Sequence, residues 1–310
     1  MHFESAYHAP VLVAEVAELL RGRKSVLDGT LGGGGHTSAL FDADVENIIG
    51  VDRDADALAA AGERLHPFVE AGRFQSVQSN YASIDAAPAL DGLAFDGILL
   101  DLGISSHQID ATDRGFSFRP GARLDMRMGD DAPADAADML NAEDEQTLAS
   151  IFRNFGDEPK AGRLAREIVR RRANQLFATA DDLVGAIRAV LGARSGAADF
   201  ARLFQAVRIA VNDELPGLMR ALPMLRDRLT PGGRLVVISY HSGEDRLVKH
   251  AFREWSADCI CPPKQPVCTC RGVALGETIT RRAVNASEEE TIRNPRARSA
   301  RLRAWQKSAE

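Results

Sequence analysis

No stretch of this 310-residue chain is apolar for long enough to cross a bilayer. The opening Met1-His2-Phe3-Glu4-Ser5 lacks the basic-then-apolar order of a secretory leader, so a cytoplasmic protein with no membrane partner is expected. Basic residues are not in excess. The formal net charge is −6, which disfavours non-specific nucleic-acid binding by the whole surface and leaves room for local basic patches. What remains, 45% hydrophobic and 26% charged, is the composition of a globular protein with one large domain or two.

Cysteine is scarce and confined. All four fall within twelve residues, as Cys259-Ile260-Cys261 and Cys268-Thr269-Cys270. In a cytosolic protein such clustering favours a metal over disulfides, although the Cys-x-Cys pairs are not the usual Cys-x₂-Cys zinc knuckle. The intervening Pro262-Pro263-Lys264-Gln265-Pro266 is expected to form a stiff turn that brings the pairs together. The four thiols either hold a structural zinc or stay reduced and unliganded.

Two familiar phosphate loops are also missing. Asp28-Gly-Thr-Leu-Gly-Gly-Gly-Gly-His36 follows the short apolar run Ser25-Val26-Leu27 and precedes a helix start at Thr37. Counting from Gly32, the third position is Gly34 but the sixth is Thr37, so the dinucleotide fingerprint fails. No Gly-Lys-Ser/Thr follows, so the P-loop fails as well. Yet Asp52, about twenty residues on, ends the apolar run Asn47–Val51, where an acid accepts from ribose hydroxyls. A loop that tolerates close approach plus a ribose acid suits an adenosine ligand without a required pyrophosphate, such as S-adenosylmethionine. The alternative is a glycine-rich turn beside an ordinary strand-end aspartate.

Further short strands are expected at Phe74–Gln78 and Phe95–Asp101, and a helix at Pro10–Leu20 with proline at its start. A helix over Asp54–Leu65 takes Asp54 as its cap. Asp28, Asp52 and Asp101 each end a strand, which points to a shared polar cleft beyond the carboxyl ends of a parallel sheet. Tyr81, after the third strand, either packs on an adenine or belongs to the core.

Strand alternation is then absent from 111 to 212. Asp125–Glu145 carries eight acidic residues against one arginine. Glu158–Arg172 reads as a helix with Lys160, Arg163, Arg166 and Arg170 on one side and Leu164 and Ile168 on the other. Helices also fit Asp181–Leu191 and Phe200–Val211. The sheet resumes with a helix over Leu218–Leu229, a turn at Thr230-Pro-Gly-Gly233 and a strand over Arg234–Ser239. Glu277–Arg282 and Ser299–Trp305 are candidate final strands. The expected organisation is an α/β core from 1–110 and 213–310, with a helical insertion over 111–212.

Several segments now stand in one order: Asp28-Gly-Thr-Leu-Gly-Gly-Gly-Gly-His36, Gly97-Ile-Leu-Leu-Asp-Leu-Gly-Ile-Ser-Ser106, Arg114-Gly-Phe-Ser-Phe118, Leu124-Asp-Met-Arg-Met128, Phe204-Gln-Ala-Val-Arg-Ile209 and Asn294-Pro-Arg-Ala-Arg-Ser299. Together, from about Tyr7 to Trp305, the chain resembles the ribosomal RNA small subunit methyltransferase H family, the MraW-like proteins. Tyr240 and Gly243 depart from the family's more frequent Phe and Leu, with the polar residues of that segment intact. The cysteine cluster resembles one carried by only some members, which argues for a structural role.

The resemblance implies a Rossmann-like class I methyltransferase core, a mostly parallel seven-stranded sheet, with the insertion recognising substrate. It implies S-adenosyl-L-methionine as cofactor and methylation of the N4 amine of one cytidine in the decoding region of 16S rRNA, within the small ribosomal subunit. A homodimer is compatible with it. By position, cofactor contacts fall on Gly34, Gly35, His36, Asp52, Tyr81, Asp101 and Gln108.

A conjugated exocyclic amine is a weak nucleophile that needs alignment and acceptors for its hydrogens, not a covalent cysteine adduct. The Asp/Asn-Pro-Pro-aromatic loop of many amino-methyltransferases is missing after the fourth strand. The candidate catalytic residues are therefore Asp101, which the cofactor competes for, with Ser239 and His241 at the neighbouring strand end. His241 is otherwise a structural hydrogen-bonder. Phe116, Phe118 or Tyr240 is a candidate to stack on the flipped base. Lys160, Arg163, Arg166 and Arg170 form either an RNA surface or a solvated helix face. A small-molecule methyltransferase and a non-catalytic ribosome assembly factor are the competing classes.

Overall fold

Short apolar runs set the sheet. In the computed structural model, whose described residues are 10–105, 108, 112–262, 265 and 267–309, four parallel strands come first. They are β1 (Ser25–Asp28), β2 (Asn47–Asp52), β3 (Phe74–Gln78) and β4 (Phe95–Asp101). β5 (Leu229–Ser239) joins β4 in parallel. Then β6 (Gly276–Thr278), β7 (Val284–Asn285) and β8 (Arg301–Lys307) add an antiparallel edge. The order is β3-β2-β1-β4-β5-β8-β6, with β7 beside β8. That is eight strands where seven were expected; the addition is the two-residue β7. Expected features on Met1–Ser5, Tyr7, Ser106, Pro263, Lys264 and Pro266 lie outside the described residues.

The chain divides into two compact units, Met1–Gly103 with Leu215–Glu310, and Ile104–Glu214. The second starts ahead of the expected 111, soon after β4 ends. In the first unit, both sheet faces are buried, as parallel strands require. Val26, Ile48, Leu99, Val236 and Ile238 point to one face, packed with α1 (Val13–Leu20) and α2 (Gly35–Asp42). Leu27, Val51, Ile98, Leu100, Leu235 and Val237 point to the other. There they meet α10 (Glu214–Asp227) and α11 (Ser242–Trp255), including Val248, Phe252 and Trp255. Asp54 caps α3 (Ala55–Arg64) by accepting from the Asp56 amide, as expected. α4 (His66–Glu70) and α12 (Glu288–Arg293) complete this unit's helices among the described residues.

Three local expectations are corrected. Pro10 does not start α1; Leu12 sits before it at φ 55°, its amide bonded 2.8 Å from Glu290 Oε1. The Thr230-Pro-Gly-Gly233 turn is absorbed into β5, which begins at Leu229. A shift of register opposite Phe95–Gly97, with Gly232 at φ 75°, takes up the extra residues as a bulge. The preceding helix accordingly ends at Asp227.

The second unit is helical: α5 (Ala136–Ala142), α6 (Glu145–Asn154), α7 (Ala161–Arg172), α8 (Ala180–Leu191) and α9 (Ala197–Val211). They share one core, with Leu148, Phe152, Leu164, Ile168, Leu183 and Leu203 all buried. Its Leu124–Met128 segment is a tight bend. Met126 takes φ 63°, and buried Asn212 clamps both sides of it. Asn212 accepts from the Met128 amide at 2.8 Å and donates to the Met126 carbonyl at 2.7 Å. No helix among the described residues is long and apolar enough to cross a membrane. Replacing Asn212 with alanine strands these buried groups, so urea unfolding of Asn212→Ala should show a loss of about 3 kcal/mol.

Candidate active site at the strand ends

Each strand-end carboxylate is held by donors near it in the fold. Buried Asp28 accepts from the Thr30 amide at 3.2 Å and the Thr37 hydroxyl at 2.7 Å. Burial still pushes its pKa upward, against these bonds. Asp52 ties the glycine loop to β2. Its Oδ2 accepts from the Gly32 amide at 2.8 Å, and its Oδ1 accepts from the Asp54 amide at 3.0 Å. Burial, with Asp54 and Asp28 nearby, raises Asp52 to about 6.

The loop divides its labour among the glycines. Gly32 at φ 51° and Gly34 at φ 74° adopt the left-handed region. Gly34 caps α2 without a side chain, so no cap side chain occupies the first amides of that helix, an arrangement suited to an anionic ligand group. A Cβ at Gly34 would press on Leu65 at 3.0 Å, and one at Gly35 on Pro10 at 3.0 Å. Both glycines therefore have packing reasons of their own.

Asp101 is the meeting point. Its amide donates to the Thr30 hydroxyl at 2.6 Å, and its Oδ1 accepts from the Tyr240 hydroxyl at 2.8 Å. Its Oδ2 lies 3.6 Å from Nδ1 of buried His36, whose Nε2–H donates to the Val11 carbonyl at 2.9 Å. A carbonyl only accepts, so Nε2 carries a hydrogen. Burial and the Asp101 charge push the Tyr240 phenol well above its ordinary value, so it stays a donor. Thr30 and the Tyr240 hydroxyl were missed by sequence reasoning. Thr30 carried a signal, since it lies two residues past Asp28 within the loop; Tyr240 carried only its departure from the family's phenylalanine.

The remaining candidates separate. Ser239 is buried, its hydroxyl donating to the Arg301 carbonyl at 3.3 Å. His241 caps α11: its Nδ1 accepts from the Gly243 and Glu244 amides at 3.2 and 3.4 Å. Its Nε2 stands 3.1 Å from Glu244 Oε1, while Glu244 Oε2 accepts from the Tyr240 and His241 amides. His241 thus has the structural task weighed against a chemical one. Tyr81 opens a turn beside Gly29, partly buried against the core cluster that contains Leu27 and Leu100. Gln108 belongs to the second unit, exchanging hydrogen bonds with Ser105 at 3.1 and 3.2 Å. Phe116 packs on that unit's core, and Phe118 lies edge-on to Phe200 and Phe204.

On α7 the cations are less unopposed than their spacing suggested. Arg166 pairs with Glu145 at 3.2 Å and Arg170 with Glu167 at 2.8 Å, while Lys160 reaches the Val190 carbonyl at 3.5 Å. Arg163 is exposed.

The cysteines do converge. All four sulfurs lie within 4.8 Å of one another, four of the pairs at 3.4–3.8 Å. A tetrahedron with metal–sulfur bonds of about 2.3 Å has sulfur–sulfur edges of about 3.8 Å. The Ile260 and Thr269 amides donate to Cys270 and Cys261 at 3.4 Å. The Ile260 amide helps pull Cys270 down to about 6, while the neighbouring sulfurs, Cys270 first, push Cys268 up to about 12. A divalent cation would relieve that conflict by taking all four as thiolates.

If His241 acts as a cap, His241→Ala should cost about 1 kcal/mol in thermal or urea unfolding, and His241→Asn should restore most of it. Equal losses in both would contradict the capping role.

The sequence pattern of the MraW methylase family matches residues 5–308. A protein named ribosomal RNA small subunit methyltransferase H from Gemmatimonas aurantiaca is 64% identical over 299 residues, covering 96% of this chain and 95% of that one. Its namesake from Heliobacterium modesticaldum is 46% identical, covering 97% of this chain and 98% of that one. A crystal structure of an rRNA methylase from Streptococcus thermophilus aligns over 96% of this chain and 93% of that chain, with 10% identity and a TM-score of 0.42, a distant likeness from which nothing functional is taken. With the family pattern and these relatives running over nearly its whole length, the chain belongs to the MraW methylase family.

Proposed function

We propose that this methyltransferase moves a methyl group from S-adenosyl-L-methionine to the N4 amine of one cytidine in the decoding region of 16S rRNA, within the small ribosomal subunit in the cytoplasm. The observation that carries the cofactor is Asp52. Each of its oxygens accepts one backbone amide and retains a second lone pair, which suits the two ribose hydroxyls. Gly34, Gly35 and His36 line the start of α2, where the first helical amides favour the ligand's carboxylate; Asp101 lies beside His36, and Tyr81 stands beside Gly29 of the same loop. The names of the relatives support ribosomal RNA as the acceptor.

The cofactor supplies a methyl group already activated by a sulfonium. The protein's task is to hold the amine in line and accept its hydrogens away from water. Asp101 is the proposed acceptor, oriented by Tyr240. Ser239 holds the β5 end through Arg301, and His241 holds the start of α11, so both act by positioning. The inserted unit serves substrate recognition in this reading. A structural zinc at Cys259, Cys261, Cys268 and Cys270 is part of it, supported by the tetrahedral sulfur spacing.

Purified protein with a labelled methyl donor should label 16S rRNA in small subunits. Label only in free metabolites would favour a small-molecule enzyme; RNA binding with no cofactor heat in calorimetry would favour an assembly factor. Because ribose hydroxyls donate to the ionised carboxylate, cofactor affinity should be level above pH about 6 and fall about tenfold per pH unit below it. Asp52→Asn should bind weakly at every pH and lose that step. Zinc analysis should find one equivalent, lost when Cys259 and Cys261 are both changed to serine.

A further inference from the structure

We propose that the outward face of α11, through Arg246, Lys249 and Arg253, is the track that grips the phosphate backbone of the substrate RNA beside the site. This deepens the proposed function and rests on it. Arg246, Lys249, His250 and Arg253 recur at i, i+3, i+4 and i+7, and all four are exposed. None of these side chains has an ion pair or hydrogen bond among the described residues.

The acidic residues of the same helix are spent elsewhere. Glu244 is buried, holding the Tyr240 and His241 amides. Asp245 is buried against Arg303 at 2.7 Å and Arg301 at 3.2 Å. Of the helix's carboxylates only Glu254 is exposed, at the margin of the stripe. The opposite face, with Val248, Phe252 and Trp255, is in the core. A helix with two of its three carboxylates turned inward presents a predominantly positive outer face, unlike α7, where Glu145 and Glu167 pair with Arg166 and Arg170.

Position decides the partner. Tyr240 and His241 lead into α11, and Tyr240 holds Asp101 at 2.8 Å, so the stripe begins beside the strand ends. Arg246 to Arg253 spans about 10 Å of helix axis, enough for two successive phosphates of an unstacked strand. Half-exposed Arg301, on β8 opposite Ser239, extends the positive charge towards the same end. A polyanion running into the site is the ligand whose charge this face complements.

The test compares the full-length protein with the triple variant Arg246→Gln, Lys249→Gln, Arg253→Gln, and with the α7 variant Arg163→Gln, Arg166→Gln, Arg170→Gln. Binding to purified small subunits is measured across a salt series, methyl transfer at fixed salt, and cofactor affinity by calorimetry. The α11 variant should lower the magnitude of the salt slope by about 2 and raise KM for small subunits about tenfold, with cofactor affinity and melting unchanged. Arg246→Lys with Arg253→Lys should restore the slope, because charge and not shape is read. The α7 variant should change the slope less. An α11 slope equal to wild type, or a KM change accompanied by equal loss of cofactor binding, would overturn the inference. Failure of the unaltered protein to methylate small subunits would instead overturn the proposed function beneath it.

Discussion

Carboxylates brought together at the ends of parallel strands repel one another and lose water, unless each is given its own donors. The core unit is arranged around supplying them. The Thr30 amide and Thr37 hydroxyl serve Asp28, the Gly32 and Asp54 amides serve Asp52, and the Tyr240 hydroxyl serves Asp101. Those donors come from the glycine loop, the starts of α2 and α3, and the end of β5. Satisfying the carboxylates therefore also fixes the loop, caps one helix and joins the two halves of the sheet on either side of the insertion. Burial still pulls both Asp28 and Asp52 upward against these donors. In the proposed function, a ligand's hydroxyls would add further donors to these carboxylates.

The same economy explains why α11 matters beyond its packing. Its first turn carries His241 and Glu244, which close the helix start and hold the Tyr240 amide. Its buried Asp245 pins β8 through Arg303. Acidic groups drawn inward to organise the sheet edge leave the cations outside. The positive surface is thus a by-product of how the edge is held, and it needs no acidic counterpart on its own face.

Much of this was legible in short-range pattern. Apolar runs ending in Asp28, Asp52 and Asp101 read directly as parallel strands, and the distance from the glycine loop to Asp52 singled out the acid that holds the Gly32 amide. The features that escaped depend on partners distant in sequence or on backbone geometry. Tyr240 meets Asp101 across 139 residues, and Glu145 meets Arg166 across 21, so neither pairing follows from local spacing. Thr230-Pro-Gly-Gly233 has every mark of a turn, yet the neighbouring β4 offers a ladder that a bulged strand can join. His241 admitted both a chemical and a structural reading in sequence; its capping task follows only from where the first amides of α11 point.

In the proposed function, this arrangement of strand-end acids and glycine loop delivers a methyl group to a cytosine amine of the small ribosomal subunit. Nucleoside mass spectrometry of 16S rRNA from cells with and without the gene tests it most directly. The account predicts one cytidine in the decoding region that carries an N4-methyl group when the gene is present and loses it when the gene is removed. Identical cytidine methylation in the two samples would contradict it.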